Sequence, residues 1–172
     1  MVRNRTNPKD VHNKLRMNNE EMKDLSIELM KCSESVFLST INEEGFPNIR
    51  AMNNLRSSEQ YENLNSLFIG HDDDFMILLS TNTSSEKIKH IQNNPKVSAY
   101  YKKPGVWQGV TFIGEAEFVE DPEIKKAIWQ EGFKKFYPLG FDDPDHTVLR
   151  IYPIKAKGWN SVKLTKFQFN IR

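Results

Sequence analysis

Apolar residues fall along this chain at two different spacings, and the changes of spacing mark out its elements. After Asn18 or Asn19, either of which can cap a helix, Met22, Leu25, Leu29 and Met30 recur at helical intervals and predict a helix to about Cys32 or Ser33. Val36 to Ile41 reads as a strand. Asn42-Glu43-Glu44-Gly45 follows as a hairpin turn, with Gly45 where a positive φ is expected. Pro47 opens the partner strand, Asn48 to Leu55, since a missing N–H matters least at a strand start. Ser57 to Asn65 is polar and reads as a loop, and Leu67-Phe68-Ile69 is a short apolar piece.

The next stretch, Met76 to Tyr101, changes character three times. Met76-Ile77-Leu78-Leu79 suits a buried strand, and Ser80 to Ser85 is a run of small hydroxyl and amide side chains that suits a turn. Thr83 and Glu86 have capping-box spacing, Ile88 and Ile91 share a helical face, and Asn93-Asn94-Pro95 ends the helix. Lys96 to Tyr101 then alternates, with Val97, Ala99 and Tyr101 on one face.

Val110 to Val119 alternates again, with Val110, Phe112, Ala116 and Phe118 facing one way and Gly114 marking a bulge or a close backbone approach. Asp121-Pro122 starts a helix whose inner face holds Ile124, Ile128 and Phe133 and which ends near Tyr137-Pro138. Asp142 to His146 reads as a turn, Thr147 to Ile154 as a strand, and Phe167-Gln168-Phe169 alternates only briefly. The sum is about six strands, mostly joined by hairpins, with helices at the start and after the third and fifth. That order favours a six-stranded antiparallel Greek-key barrel with added helices over a βαβ sheet. No repeat or long linker divides the chain, so residues 18–172 are expected to form one domain behind a flexible basic arm, 1–17.

Composition narrows the function mainly by exclusion. The 172 residues carry 24 basic and 23 acidic side chains, a balance that gives no electrostatic case for nucleic acid or a membrane surface. Cys32 is the only cysteine, which removes internal disulfides and cysteine-based zinc sites and leaves a small buried hydrophobe as its expected role. No apolar run approaches a membrane span, and a cytoplasmic location is expected. His12, His71, His90 and His146 are scattered, and no phosphate-loop, nucleophile-elbow or zinc-protease motif occurs. His71-Asp72-Asp73-Asp74 suggests a metal, but consecutive side chains diverge, so a solvated turn is expected.

One stretch does point to chemistry. A strand running into a hydroxyl-rich helix start can seat an anion, because free N–H groups and the helix dipole favour negative charge there. Ser85 and Lys87 would add a donor and a positive charge. The alternative on spacing alone, an ordinary capped helix with a solvated lysine, is the commoner arrangement.

Four segments in order, SVFLSTINEEGFPNIRAMN, LLSTNTSSEKIKHIQNNPKVSAYY, GVTFIGEAEFVEDPEIKKAIW and TVLRIYPIKAKGWN, resemble the FMN-binding split barrels related to pyridoxamine 5′-phosphate oxidase. The likeness runs from about Glu21 to Asn160 and is nearer to the small, general-stress-protein-like members than to the vitamin B6 oxidase. It implies a homodimer with FMN in clefts between subunits. Arg50 would then reach the FMN phosphate, with Ala51, Met52 and Asn53 along the isoalloxazine and Ser80 and Thr81 on the ring or ribityl chain. Ser85 and Lys87 would hold the phosphate, and Trp107 and Gln108 would come from the partner subunit. Two departures stand out. Glu86 replaces a basic residue of the oxidase, so it is expected to serve the helix cap and point away, and the oxidase's fifth-strand glutamine falls at Gly109, one place from Gln108. Trp159 is expected to pack on the barrel. The resemblance implies an FMN-dependent oxidoreductase acting on small molecules; pyridoxamine phosphate oxidation is not the favoured reading, because the oxidase's substrate-phosphate residues find no match here. The alternatives are a flavin carrier or sensor without turnover, or the same barrel holding haem or a deazaflavin.

Overall fold

The computed structural model describes residues 17–172; the basic arm read in the sequence lies outside these residues, apart from Met17, which is buried. Helix α1 (Asn19–Cys32) leads into β1 (Ser35–Ile41) and β2 (Pro47–Asn53). After a 3-10 turn at Glu62–Phe68 come β3 (Ile77–Asn82), α2 (Glu86–Asn93), β4 (Lys96–Lys102) and β5 (Gln108–Phe118). Helix α3 (Pro122–Ala127) and a 3-10 turn (Glu131–Lys135) precede β6 (His146–Asn160) and β7 (Thr165–Asn170). The strands form one antiparallel sheet in the order β2-β1-β4-β5-β6-β3, with β7 added to β6. Strands β2 and β3 end that order and approach each other without pairing, which makes the barrel a split one.

The expected barrel is therefore present with one strand more than the six read in the sequence. Strand β6 runs on to Asn160 rather than ending at Ile154. The cause is a bulge: Ile113 faces Lys155 but Gly114 faces Pro153, so Ile154 has no opposite number and lies half exposed, which breaks the alternation. Gly114 is the close approach its position suggested, since a Cβ there would meet the Tyr152 carbonyl oxygen at 2.8 Å and Pro153 Cα at 3.0 Å. At the other turn, Gly45 adopts φ +84°, as the hairpin requires.

Two apolar clusters pack against opposite faces of β3. Ile77 and Leu79 face the barrel interior with Leu29, Val36, Leu38, Ala99, Phe112 and Ile151, closed at one end by α1. Met76 and Leu78 face outward onto Leu55, Leu64, Ile128, Phe133 and Tyr137. Burial on both faces is why the strand reads as a continuous apolar run. It also accounts for two differences from the sequence reading. The stretch 57–65 is not a free loop, because Leu64 is drawn into the outer cluster and the chain winds into a 3-10 turn. The helix after Asp121 stops at Ala127, because Ile128 and Phe133, five residues apart, cannot share one helical face and are both buried only if the chain rewinds.

Arg56 ties this outer layer together. It is 3% exposed, and its guanidinium donates to the carbonyls of His71 (3.2 Å) and Met76 (3.1 Å) and pairs with Asp72. His71 Nδ1 meets Asp74 at 2.9 Å, so the acidic run is a structural turn, and the described residues hold no metal-binding group of His, Cys, Asp and Glu. No helix among them is long and apolar enough to cross a membrane.

Candidate functional site

The candidate site lies at the split of the barrel. Because β2 and β3 end the sheet, their facing edges keep backbone groups that no strand pairs, and a cleft of about 210 Å³ opens there. Ala51, Met52 and Asn53 of β2 form one wall, and Ser80, Thr81 and Asn82 of β3 form the other. Lys87 of α2 stands at one end, and Phe133, Phe136 and Tyr137 flank the opening. Six of the residues expected from the sequence thus meet on one small surface.

Lys87 is oriented by its neighbours. Its Nζ donates to Thr81 Oγ1 at 2.8 Å and to Ser85 Oγ at 2.9 Å, while Ser85 Oγ donates to the Asn82 carbonyl at 2.7 Å. Arg50 adjoins it: Nη1 donates to Thr40 Oγ1 at 2.7 Å and to the Leu38 carbonyl at 3.3 Å. Both cations are partly removed from water. Burial, then the nearby Arg50 charge, holds the Lys87 ammonium below its ordinary pKa, and burial lowers that of Arg50 as well. Neither makes an ion pair with a carboxylate among the described residues. Two adjacent, half-buried positive charges with only hydroxyl and carbonyl partners form a site that an anion would complete.

The start of α2 fits that reading but differs from the expected capping box. Ser85, not Thr83, is the N-cap, and no side chain caps the first turn. Asp145 accounts for the change: it accepts from the Ser84 N–H and the Asn82 side chain, both at 2.7 Å, and its carbonyl takes the Thr83 N–H at 2.8 Å. These bonds fasten the turn to the chain entering β6, and Thr83 turns its hydroxyl to Thr147. Glu86 does not serve the cap; its charge acts on Arg50 and partly offsets the effect of burial there.

Behind the cleft, Ser80 Oγ lies 3.0 Å from His146 Nε2, and His146 Nδ1 lies 2.9 Å from the Phe141 carbonyl oxygen. A carbonyl only accepts, so Nδ1 carries a proton, and a neutral ring then takes the Ser80 proton at Nε2. The Tyr137 ring packs on this histidine with centroids 4.7 Å apart, and burial raises the Tyr137 phenol pKa. Phe136 and Tyr137 were not among the expected site residues. Their signal was the FKKFYP run, where an exposed aromatic follows two lysines without an amphipathic period.

Trp107 and Gln108 are not at this cleft. They line a separate groove of about 350 Å³ with Tyr100, Lys102 and Trp159. Trp107 is 85% exposed on the β4–β5 turn, and Trp159, expected against the barrel, is 37% exposed beside it. Gln108 is buried, with Nε2 donating to Asn160 Oδ1 at 2.9 Å.

Residues 22–160 match the family model described as pyridoxamine 5′-phosphate oxidase. Among solved structures, a Clostridium acetobutylicum protein related to general stress protein 26 of B. subtilis is 28% identical, with a TM-score of 0.71 over 90% of this chain and 97% of that one. A putative pyridoxamine 5′-phosphate oxidase from Listeria innocua is similar at 20% identity and a TM-score of 0.59, covering 82% of this chain and all of that one. A heme binding protein from Mycobacterium smegmatis shares the fold at 14% identity and a TM-score of 0.63, over 91% of this chain and 59% of that one. None of the curated protein sequences matches the chain.

Proposed function

Because the chain belongs to the pyridoxamine 5′-phosphate oxidase family, we propose that it binds FMN non-covalently in the split of its barrel and works as an oxidoreductase on a small molecule. The observation that carries this reading is the Arg50–Lys87 pair, two half-buried cations without a carboxylate partner among the described residues, beside the start of α2 that no side chain caps. A phosphate placed there would receive the first-turn N–H groups, the Lys87 ammonium and the Arg50 guanidinium. The edges of β2 at Ala51–Asn53 and of β3 at Ser80–Thr81 would then line the ribityl chain and ring.

The cleft is smaller than the roughly 300–1,000 Å³ typical of pockets that enclose a cofactor. A second copy of the chain would supply the missing wall, bringing Trp107 from its β4–β5 turn with Gln108 behind it at the start of β5. Exposed Phe46 before β2, Ile49 on it, and Val106 and Trp107 on the β4–β5 turn are apolar surface that such a dimer would cover. FMN held there would supply hydride and electron transfer between a donor and an acceptor. The protein holds the phosphate, fixes the ring edge and shapes the open face, with no side chain assigned as acid or base. Oxidation of pyridoxamine phosphate itself is not part of the proposal, since the sequence offers no match to that oxidase's substrate-phosphate residues.

Purified protein should be yellow with flavin absorbance and should sediment and scatter as a dimer. Colourless protein that shows no binding on FMN titration would overturn the reading, and a haem or deazaflavin spectrum would replace the cofactor. Stopped-flow reduction by NADH or NADPH separates an enzyme from a carrier.

A further inference from the structure

Arg50 does not reach its place unaided. Its Nη1 donates to Thr40 Oγ1 at 2.7 Å, and the same oxygen lies 3.0 Å from His90 Nδ1. Thr40 is fully buried on β1, Arg50 projects from β2 and His90 from α2, so one hydroxyl joins three elements. The proton inventory fixes the direction of the chain. A guanidinium only donates, so Thr40 must accept from Arg50. The Thr40 proton then needs an acceptor inside the protein, and Nδ1 of His90 is the one within reach. This leaves the His90 ring proton on Nε2. His90 is three residues beyond Lys87 on the same helix, so α2 offers one cation directly and braces the other through Thr40.

We infer that Thr40 and His90 are positioning residues that hold the Arg50 guanidinium ready for an anion and so set the preference for a phosphorylated over a dephosphorylated ligand. The inference rests on the proposed phosphate seat. An arginine otherwise free to sample many rotamers would have to be ordered during binding, and the relay removes that cost beforehand.

The test measures FMN and riboflavin affinity side by side in the full chain. Thr40→Val, which keeps the shape and removes the hydroxyl, and His90→Leu should each weaken FMN by about three- to tenfold, the worth of one ordinary hydrogen bond, and leave riboflavin unchanged. Thr40→Ser and His90→Asn, which restore the hydroxyl and an acceptor near the Nδ1 position, should recover the FMN affinity. Variants that bind FMN like the wild type, or that lose FMN and riboflavin equally, would overturn the relay. A wild-type protein that prefers FMN no more than riboflavin would overturn the phosphate seat instead, and the relay with it. A readout free of any ligand is the nitrogen-15 spectrum of the His90 ring at neutral pH. The Nε2–H tautomer is expected, and finding Nδ1–H overturns the proposed direction.

Discussion

At the start of α1, Asn18 and Glu21 cap each other's backbone N–H groups, both at 2.9 Å, whereas the start of α2 has no side-chain cap. The same contrast separates two arginines. Arg56 is buried with the Asp72 carboxylate and two carbonyls around it, and only its Nε is left without a partner. Arg50 is half-buried with a hydroxyl and a carbonyl. Both kinds of group cost free energy to remove from water, and in one region the chain satisfies them from its own residues. In the other, at the split between β2 and β3, the cations have only hydroxyl and carbonyl partners and the helix start has no side-chain cap. Helix ends and arginines alone do not identify a site here, since each occurs in both regions; what differs is whether a carboxylate or a side-chain cap among the described residues answers them.

Substituting the two arginines alike would test that contrast most strongly. Arg56→Met should destabilise the protein by about 2–4 kcal/mol, because it strands the His71 and Met76 carbonyls in the outer layer. Arg50→Met should change apo stability by no more than about 1 kcal/mol and act on FMN affinity instead. Urea unfolding and FMN titration of both variants would read this directly, and equal stability losses would erase the distinction. Next in size, Lys87→Ala should weaken FMN by about 1.5–3 kcal/mol, one to two powers of ten, with riboflavin binding unchanged. The apo protein should lose no stability, since a cation near a helix N-terminus is mildly unfavourable. Parallel loss of FMN and riboflavin would remove the phosphate role.

The helix starts give a smaller effect of the same kind. Asn18→Ala should cost about 1 kcal/mol of stability by opening the α1 cap. Ser85→Ala breaks no cap bond and should instead weaken FMN several-fold through Lys87, by about one hydrogen bond's worth. The smallest effect is in pH. The folded-state pKa of Lys87 lies below its ordinary 10.5, so the native apo protein binds fewer protons than the unfolded chain in the interval beneath that value. Its unfavourable contribution should therefore fade as pH rises through the folded pKa toward 10.5. The difference in apo stability between wild type and Lys87→Ala should follow the same course in alkaline urea titrations, and a flat difference would contradict the burial of this charge.

Much of the barrel was legible because its strands obey a period. Val36, Leu38 and Thr40, or Val97, Ala99 and Tyr101, alternate into the interior, and the turn at Gly45 needs its glycine. Legibility failed where a long-range contact overrode the local pattern. Asp145, some sixty residues downstream, captures the Ser84 N–H and displaces the Thr83 capping box. The bulge at Gly114 hides the second half of β6, and with it the partner that makes Thr165–Asn170 a strand. The site divides in the same way. Ser85 and Lys87 are close in sequence and their spacing points to an anion seat, while the roles of Ser80 and Thr81 come only from the resemblance. Thr40 and His90 meet Arg50 only through pairing of β1 with β2 and the packing of α2, which no local spacing encodes. Trp107 stands out in sequence as an aromatic in a glycine-bearing turn, but one chain gives it no ligand to face.

Strand β6 has one further consequence. Its first half, through Ile151, pairs with β3, and its second half, from Lys155, pairs with β7, so Thr165–Asn170 occupies hydrogen-bonding positions that would otherwise face solvent. Phe167 also packs over Gly158, where a Cβ would come within 2.1 Å of its ring. Without that last hairpin arm, residues 155–160 would be a bare, fairly flat ladder able to template a strand from another molecule. The short C-terminal strand thus covers an edge that would otherwise be open to pairing. Shortening the chain to Asn160 should bare that ladder, remove Phe167 and Phe169 from the core, and give concentration-dependent aggregation, read by light scattering.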